Sequence, residues 1–171
     1  ITIPESVERI QNCAFIYCQN LTGISISGYN FIVENNAIYT ADETTLVAYP
    51  SASGTVVIPE TVKTIGAGAF AGSLVESITI PESVTTIESE AFRDCRNLQT
   101  VEILAKVSVL PQSMFSWCEK LTSVTIPATV TSIEAWAFDG CNNLSSVTFE
   151  DENNWYVSEN QDLGSDGTPV D

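Results

Sequence analysis

Residues 80–101 read I-P-E-S-V-T-T-I-E-S-E-A-F-R-D-C-R-N-L-Q-T-V, and residues 126–147 read I-P-A-T-V-T-S-I-E-A-W-A-F-D-G-C-N-N-L-S-S-V. Every apolar residue of the first stretch recurs at the same position of the second. They start 46 residues apart (126 − 80), which is twice a period of 23. Self-similarity at a fixed period of this length indicates a repeat architecture, in which each unit is one small supersecondary element.

The unit occurs five times, and an aromatic residue marks it most clearly. Alanine precedes this phenylalanine in four copies, and cysteine follows it by three residues in four copies. The phenylalanines are Phe15, Phe70, Phe92, Phe115 and Phe138, and the residues three positions later are Cys18, Ser73, Cys95, Cys118 and Cys141. Written once, the unit is I-P-x-x-V-x-x-I-x-x-x-A-F-x-x-C-x-x-L-x-x-V-x.

Each part of the unit has a physical interpretation. The alternation in Val124-Thr125-Ile126 predicts a short, half-buried parallel strand whose middle residue faces outwards. The proline that follows ends the strand, because it lacks the backbone donor that a ladder needs. The A-F-x-x-C stretch predicts a single helical or 3₁₀ turn that points phenylalanine inwards. One unit cannot bury its own apolar face, whereas a stack of units forms a continuous core.

The unit resembles the leucine-rich repeats of the BspA type, also called the Treponema class, in its period near 23, its I-P start, its A-F-x-x-C turn and its L-x-x-V strand. The resemblance covers residues 1–149. It implies a curved, right-handed leucine-rich-repeat solenoid, α/β to mostly β, with the parallel sheet on the concave side. It further implies a secreted or surface-attached bacterial protein that takes part in adhesion and host-protein binding.

Two regions depart from the repeat. Residues 27–57 contain short apolar runs between turn-forming residues, which predict an irregular β coil with a protruding hairpin. Residues 150–171 contain seven acids and no base, and we expect an acidic cap and tail, with an edge strand at Trp155-Tyr156-Val157. Because the chain opens inside a unit, at Ile1-Thr2-Ile3-Pro4, we expect a piece of a longer protein that continues past Asp171.

Composition excludes several classes of partner. The 171 residues include 22 acids and 6 bases, for a net charge of −16, which disfavours both nucleic acid and anionic lipid. No apolar run reaches 18 residues, so we expect no membrane insertion. The chain has no histidine, no G-x-S-x-G elbow and no glycine-rich phosphate loop. We therefore expect no catalytic residue and no cofactor.

The acidic residues nearest to one another do not change this prediction. Glu88 with Glu90, and Asp94 beside Arg93 and Arg96, are the pairs that could supply paired carboxylates. They occupy variable positions of the unit, where solvated charge is the ordinary expectation. Acid–base catalysis needs two carboxyl groups in contrasting environments, and nothing in the sequence indicates such a contrast.

The recurring cysteines have two interpretations. Cys18, Cys95, Cys118 and Cys141 share one position of the unit and should form a ladder along the stack, which could bind a metal or form disulfides. However, no C-x-x-C pair and no histidine accompany them, and zinc sites normally use such ligands. Cysteine is also among the most buried residue types. We therefore predict buried structural thiols and no metal site.

The candidate partner-binding residues belong to two groups. The first comprises the outward residues of the predicted strands, a mostly uncharged, hydroxyl-rich surface: Ser77, Thr79, Thr100, Glu102, Ser123, Thr125, Ser146 and Thr148. The second comprises Tyr17 and Trp117, which stand just before the cysteine position, where other coils carry Gly72, Asp94 and Gly140. Exposed aromatic residues are favoured at the centres of interfaces. The alternative is that serine and threonine simply suit exposed strands, and that the aromatic rings fill core space.

These observations lead to two functional hypotheses. In the first, the chain is a monomeric extracellular module that binds a host or bacterial protein, or a glycan, through a polar concave repeat surface. In the second, it is a structural spacer or stalk segment of a larger surface protein and has no binding activity of its own. The sequence does not name the partner.

Overall fold

The computed structural model describes residues 1–151 and the backbone of residues 156 and 157, and the described residues form fifteen short strands. The strands are β1 (Thr2–Ile3), β2 (Ser25–Ile26), β3 (Phe31–Glu34), β4 (Ala37–Thr40), β5 (Thr45–Ala48), β6 (Ser53–Val57), β7 (Thr64–Ile65), β8 (Leu74–Ile80), β9 (Thr86–Ile87), β10 (Thr100–Ile103), β11 (Val109–Leu110), β12 (Ser123–Ile126), β13 (Ser132–Ile133), β14 (Ser146–Phe149) and β15 (Tyr156–Val157). The rest of the predicted acidic cap and tail, including Trp155, lies outside the described residues.

The strands stack coil upon coil as the repeat predicts. Along one side, β6, β8 and β10 pair in parallel, as do β12 with β14 and β1 with β2. In each pair the same position of the unit meets itself, for example Ile78 with Val101 and Val124 with Val147. Along a second side, β5, β7 and β9 pair in parallel, as do β11, β13 and β15. The right-handed solenoid prediction is confirmed.

The expected helical or 3₁₀ turns are wrong, because the described residues contain strands and turns but no helix. Two residues per turn, four positions apart, have left-handed backbone angles, such as Gly68 (φ 65°) and Gly72 (φ 73°), or Ser113 (φ 55°) and Trp117 (φ 61°). A right-handed helix cannot continue through such residues. The chain instead forms successive tight turns.

The hydrogen bonds of these turns alternate between two kinds of partner. In the turn around Phe70, the N–H groups of Ala69, Ala71 and Ser73 donate to carbonyls three residues earlier in the same turn. The N–H groups of Gly68, Phe70 and Gly72 donate to Ser89, Ala91 and Arg93 of the next coil, at 3.2, 2.8 and 2.8 Å. The same alternation holds around Phe92 and Phe115. The turns therefore join neighbouring coils as a sheet does, and they satisfy their buried N–H groups.

Residues 27–57 form a hairpin followed by a shortened coil. Strands β3 and β4 pair antiparallel through Asn35 (φ 51°) and Asn36 (φ 63°), the left-handed pair typical of a type I′ hairpin turn. Strand β5 pairs antiparallel with β4 and parallel with β7. Between β5 and β6, Tyr49 takes the place that phenylalanine holds elsewhere: its N–H donates to Ala69 at 2.6 Å.

A column of stacked rings forms the centre of the core. Tyr49, Phe70, Phe92, Phe115 and Phe138 follow one another with centroid distances of 5.9, 5.0, 5.5 and 5.6 Å. Phe70, Phe92 and Phe115 are fully buried. Phe15, expected in the same column, instead packs with Ile3, Ile24 and Phe31 in a second cluster. The reason is that Tyr49 of the shortened coil occupies the place between Phe15 and Phe70.

Among the regular coils after the hairpin, strand pairing is interrupted between the third and the fourth coil. Strands β10 and β12 are neighbours but belong to separate sheets, and β9 and β11 likewise belong to separate sheets. Across this boundary the turns remain bonded, since Phe92 N–H donates to Met114 at 3.0 Å. The ring of Phe92 also stacks on Phe115 there. At this boundary, the hydrogen bonds of the turns and the stacked phenylalanine rings therefore join the neighbouring coils, whose strands are not paired.

Candidate functional site

The outward residues of strands β6, β8, β10, β12 and β14 form one surface, which we call the strand face. It comprises Thr55, Val57, Ser77, Thr79, Thr100, Glu102, Ser123, Thr125, Ser146 and Thr148. All eight strand residues that the sequence singled out therefore lie on it. Inward neighbours such as Ile78, Val124 and Ile126 are buried in the core, which fixes the outward direction of the residues between them.

Hydrogen bonds between coils order this face. Thr100 donates to the hydroxyl of Ser77 at 2.8 Å, and Thr79 donates to the carboxylate of Glu102 at 3.0 Å. Farther along, Ser123 lies opposite Ser146, and Thr125 lies opposite Thr148. Exposed serine and threonine side chains lose little conformational entropy when they bind. The face can therefore offer donors and acceptors to a partner at low entropic cost.

One apolar member of the strand face was missed in the sequence analysis. Val57 is 76% exposed, although the residues on either side of it, Val56 and Ile58, are buried. Their alternation is the signal that would have identified it. A shallow cleft of about 190 Å³ adjoins it, between the hairpin and the strand face, with Glu34 and Asn35 among its lining residues. The hairpin thus forms one border of the strand face.

Tyr17 and Trp117 do not lie on the strand face, because both belong to turns. Their backbones are left-handed, with φ of 60° and 61°, and each ring lies over a glycine of the next coil. A Cβ atom added to Gly72 would meet the Tyr17 ring, and one added to Gly140 would come within 2.8 Å of Trp117 Cδ2. Both rings remain half exposed, so neither is core filling.

Tyr17 connects coils that are not adjacent. Its hydroxyl reaches across Gly72 and donates to Asp94 Oδ2 at 2.5 Å, and this bond raises the pKa of the tyrosine. Asp94 is only 5% exposed, which corrects the expectation of a solvated charge at this position. Its carboxylate also binds Arg96, at 3.1 Å from Nη2. The carboxylate is buried because the tyrosine and arginine side chains compensate its charge.

Three of the four cysteines at the repeat position form a ladder, in which Cys95 and Cys118 are buried as expected and Cys141 is only partly buried. The Sγ atoms of Cys95, Cys118 and Cys141 donate to the carbonyls of residues 70, 92 and 115 of the preceding coils, at 3.2, 3.2 and 3.1 Å. Cys18, in the first turn of the chain, is exposed, so the prediction of a buried thiol is wrong there. The described residues contain no cluster of three or more cysteine or acidic side chains that could hold a metal ion.

Because these thiols are shielded from solvent, the stability of the fold should depend on pH. Burial raises the pKa of Cys95 from 9.0 to about 12 and that of Cys141 to about 11, and it raises that of Cys118 in the same direction. Above about pH 9 the unfolded thiols lose protons that the folded thiols keep, so stability should fall as the pH rises from 9 towards 12. For Cys95 alone we expect a loss on the order of 1 kcal/mol between pH 9 and 10.

This prediction can be checked with urea unfolding at both pH values. Cys95→Ser is the matched control, because Ser73 occupies the same position of the unit one coil earlier. The variant should lose less stability over this interval than the original chain. An identical pH dependence in the two proteins would show that the Cys95 thiol does not titrate as its burial requires.

The chain is similar to several solved structures of bacterial proteins. A leucine-rich repeat protein from Eubacterium ventriosum shares 30% identity with a TM-score of 0.66, over 86% of this chain and 47% of that one. A leucine rich cell surface protein from Faecalibacterium prausnitzii shares 27% identity with a TM-score of 0.71, over 90% and 48%. A leucine-rich repeat protein from Bacteroides ovatus shares 29% identity with a TM-score of 0.64, over 91% and 38%.

The chain thus spans about half the length, or less, of these solved proteins. Comparison with curated proteins gave no match. Proteins with leucine-rich repeats are generally protein-interaction modules and typically not enzymes. No helix long and apolar enough to cross a bilayer occurs in the described part of the chain. The family described as BspA type leucine rich repeat region matches residues 1–55 and 49–160 in six copies, and the chain belongs to this family.

Proposed function

We propose that this chain is an extracellular protein-binding module, secreted or attached to a bacterial cell surface, and that the strand face contacts the partner. The observation that carries the proposal is the strand face itself, on which Val57 lies exposed next to ordered rows of hydroxyl groups. Val57 can bury apolar area against a partner, and the hydroxyl rows beside it can supply hydrogen bonds to the same partner. The cell-surface relative from Faecalibacterium prausnitzii supports the location.

The charge of the chain favours one kind of partner surface. The net charge is −16, while strands β6, β8, β10, β12 and β14 expose only two charged residues, Glu76 and Glu102. A partner with basic residues around a neutral, hydroxyl-binding centre would be attracted by the surrounding field and bind at the face without burying many charges. We therefore expect association to slow as the salt concentration rises, and dissociation to change less.

The proposal is tested by measuring binding to a panel of purified extracellular-matrix proteins with biolayer interferometry. Thr125→Arg places a long charged side chain on the strand face, and Val57→Asp removes the apolar anchor. Each should weaken binding at least tenfold, which corresponds to about 1.4 kcal/mol. Both residues are exposed, so the melting temperature should stay close to that of the original chain.

Thr61→Arg is the matched control, because Thr61 is exposed and lies outside the strand face. It should leave binding unchanged. If Thr61→Arg and Thr125→Arg weakened binding equally, the effect would be one of general charge and the strand face would not be the site. If no protein of the panel bound, the spacer hypothesis would replace this one.

A further inference from the structure

A second concave site lies on the turn side of the solenoid, away from the strand face. It is a cleft of about 280 Å³ that spans three successive turns, with the rings of Trp117 and Trp136 among its lining groups. The two tryptophans are 41% and 51% exposed. The volume is close to the lower end of the range for small-molecule pockets, roughly 300–1,000 Å³, so the cleft suits one small ring-shaped group.

Both tryptophans occupy backbone positions that disfavour large side chains. Trp117 and Trp136 have φ of 61° and 58°, and equivalent positions in other coils carry either glycine, as at Gly68, Gly72 and Gly140, or smaller side chains, as at Ser113 and Asp94. A side chain in this left-handed region costs about 1–2 kcal/mol relative to a right-handed one. The turn imposes these backbone angles in the other coils as well, and what distinguishes these two positions is the half-exposed indole ring that each carries. Trp117 is further positioned by Gly140, over which its ring lies.

Polar groups without partners complete the cleft. Four of its lining side chains make no hydrogen bond within the described residues: Gln112, Ser113, Ser116 and Asp139. Ser116 is only 4% exposed as a residue, and it lines the cleft. Arg93 also lines the cleft, but its Nε is buried and lies 3.6 Å from Asp94 Oδ2. Hydrogen-bond donors and acceptors therefore line the same cleft as the two indole rings.

We infer that this cleft binds a neutral monosaccharide unit of a glycan. A pyranose ring presents an apolar C–H face, which stacks on an indole, and a rim of hydroxyls that donate and accept hydrogen bonds, which the amide, hydroxyl and carboxylate groups of the cleft can satisfy. This inference does not rest on the proposed protein-binding function, since the cleft and the strand face share no residue.

The charges of the cleft favour a neutral sugar over a charged ligand. Arg93 is already paired with Glu90, at 3.0 Å between Nη1 and Oε2, so it offers an acidic sugar no free positive charge. The carboxylate of Asp139 would repel an acidic sugar as well. A quaternary ammonium group would use the two indoles but would leave the donors of Gln112, Ser113 and Ser116 unpaired.

The test is saturation-transfer NMR of the full chain with the methyl glycosides of glucose, galactose, mannose, N-acetylglucosamine and fucose, each up to about 20 mM, a range that detects the millimolar affinities expected of a single sugar. We expect at least one glycoside to bind saturably. Trp136→Gly should weaken that binding at least tenfold and keep the fold, because glycine holds the equivalent position at Gly68. Gln112→Ala should weaken it as well.

Tyr29→Ala is the control, because it removes an exposed aromatic ring that does not line the cleft, and it should leave sugar binding unchanged. Binding to none of the glycosides would overturn the inference, as would equal binding by Trp136→Gly. Choline and N-acetylneuraminic acid serve as charged probes. If choline bound while the glycosides did not, the cleft would be a cation site; if N-acetylneuraminic acid bound best, the assignment to neutral sugars would be wrong.

Discussion

Replacing Phe115 by alanine is expected to lower the free energy of unfolding by about 3–5 kcal/mol. The ring is fully buried and stacks on Phe92 at 5.5 Å and on Phe138 at 5.6 Å. The substitution removes apolar contacts and leaves a cavity that rigid neighbouring coils can fill only in part. The Phe92–Phe115 contact also crosses the boundary at which the strands are not paired, so fewer hydrogen bonds between strands compensate the loss there.

Urea unfolding followed by far-ultraviolet circular dichroism measures this effect. Phe92→Ala should be similarly destabilising, since its ring lies on the other side of the same boundary. Tyr29→Ala is the control, because that ring is exposed and its removal should change stability by less than about 0.5 kcal/mol. If Phe115→Ala unfolded at the urea concentration of the original chain, the ring column would not be the core of the solenoid.

Substitution of Gly72 by alanine is expected to have the second-largest effect, about 2–5 kcal/mol. The left-handed φ of 73° alone costs about 1–2 kcal/mol for any residue with a Cβ atom. The added Cβ would in addition lie 2.9 Å from the backbone nitrogen of Tyr17, which is fixed by its hydrogen bond to Ala71. Crowding of a well-packed contact adds roughly 1–3 kcal/mol.

Gly54→Ala separates the two contributions, because Gly54 also has a left-handed φ, of 61°, but an added Cβ would meet no atom within 4 Å. It should cost only about 1–2 kcal/mol, the conformational part. Thermal unfolding of the two variants side by side measures the difference. Equal melting temperatures would mean that Tyr17 does not lie on the Gly72 backbone.

The repeating elements of the fold could be predicted because identical side chains recur at identical spacing. The inward position of Val124 and Ile126, and the strand between them, follow from alternation alone, and so does the outward direction of Thr125. The cysteine ladder at Cys95 and Cys118 follows from the period. In each case one unit of the sequence corresponds to one coil of the structure, so an assignment made for one unit applies to its other copies.

The turns could not be predicted correctly, because their conformation depends on contacts between coils. The A-F-x-x-C spacing is compatible with a helical turn, and only the left-handed residues four positions apart exclude it. Their identities vary from Gly68 and Gly72 to Glu90 and Asp94, so no single residue type signals them. The stabilising hydrogen bonds run to the next coil, as from Phe70 N–H to the carbonyl of Ala91. The secondary-structure propensities of single residues give no information on such bonds.

The positions of the candidate residues could be predicted for the strand face, whereas the turn positions of Tyr17 and Trp117 could not. The hydroxyl rows follow from strand alternation, whereas Tyr17 and Trp117 were grouped with them only because they are variable aromatic residues. A usable signal did exist: Gly72 and Gly140 occupy the same position of the unit in the next coil. An aromatic residue followed one coil later by glycine indicates a ring lying on backbone, which locates it outside both the core and the strands.

The most direct test of the central claim, that the strand face is the surface that binds protein, is methyl NMR of the chain labelled at valine and threonine during titration with the tightest binder of the matrix-protein panel. We expect the signals of Val57, Thr79 and Thr125 to shift or broaden first, while those of Thr61 and Thr131, which lie outside the strand face, stay in place. Perturbation confined to Thr61 and Thr131, with the strand-face signals unchanged, would contradict the account.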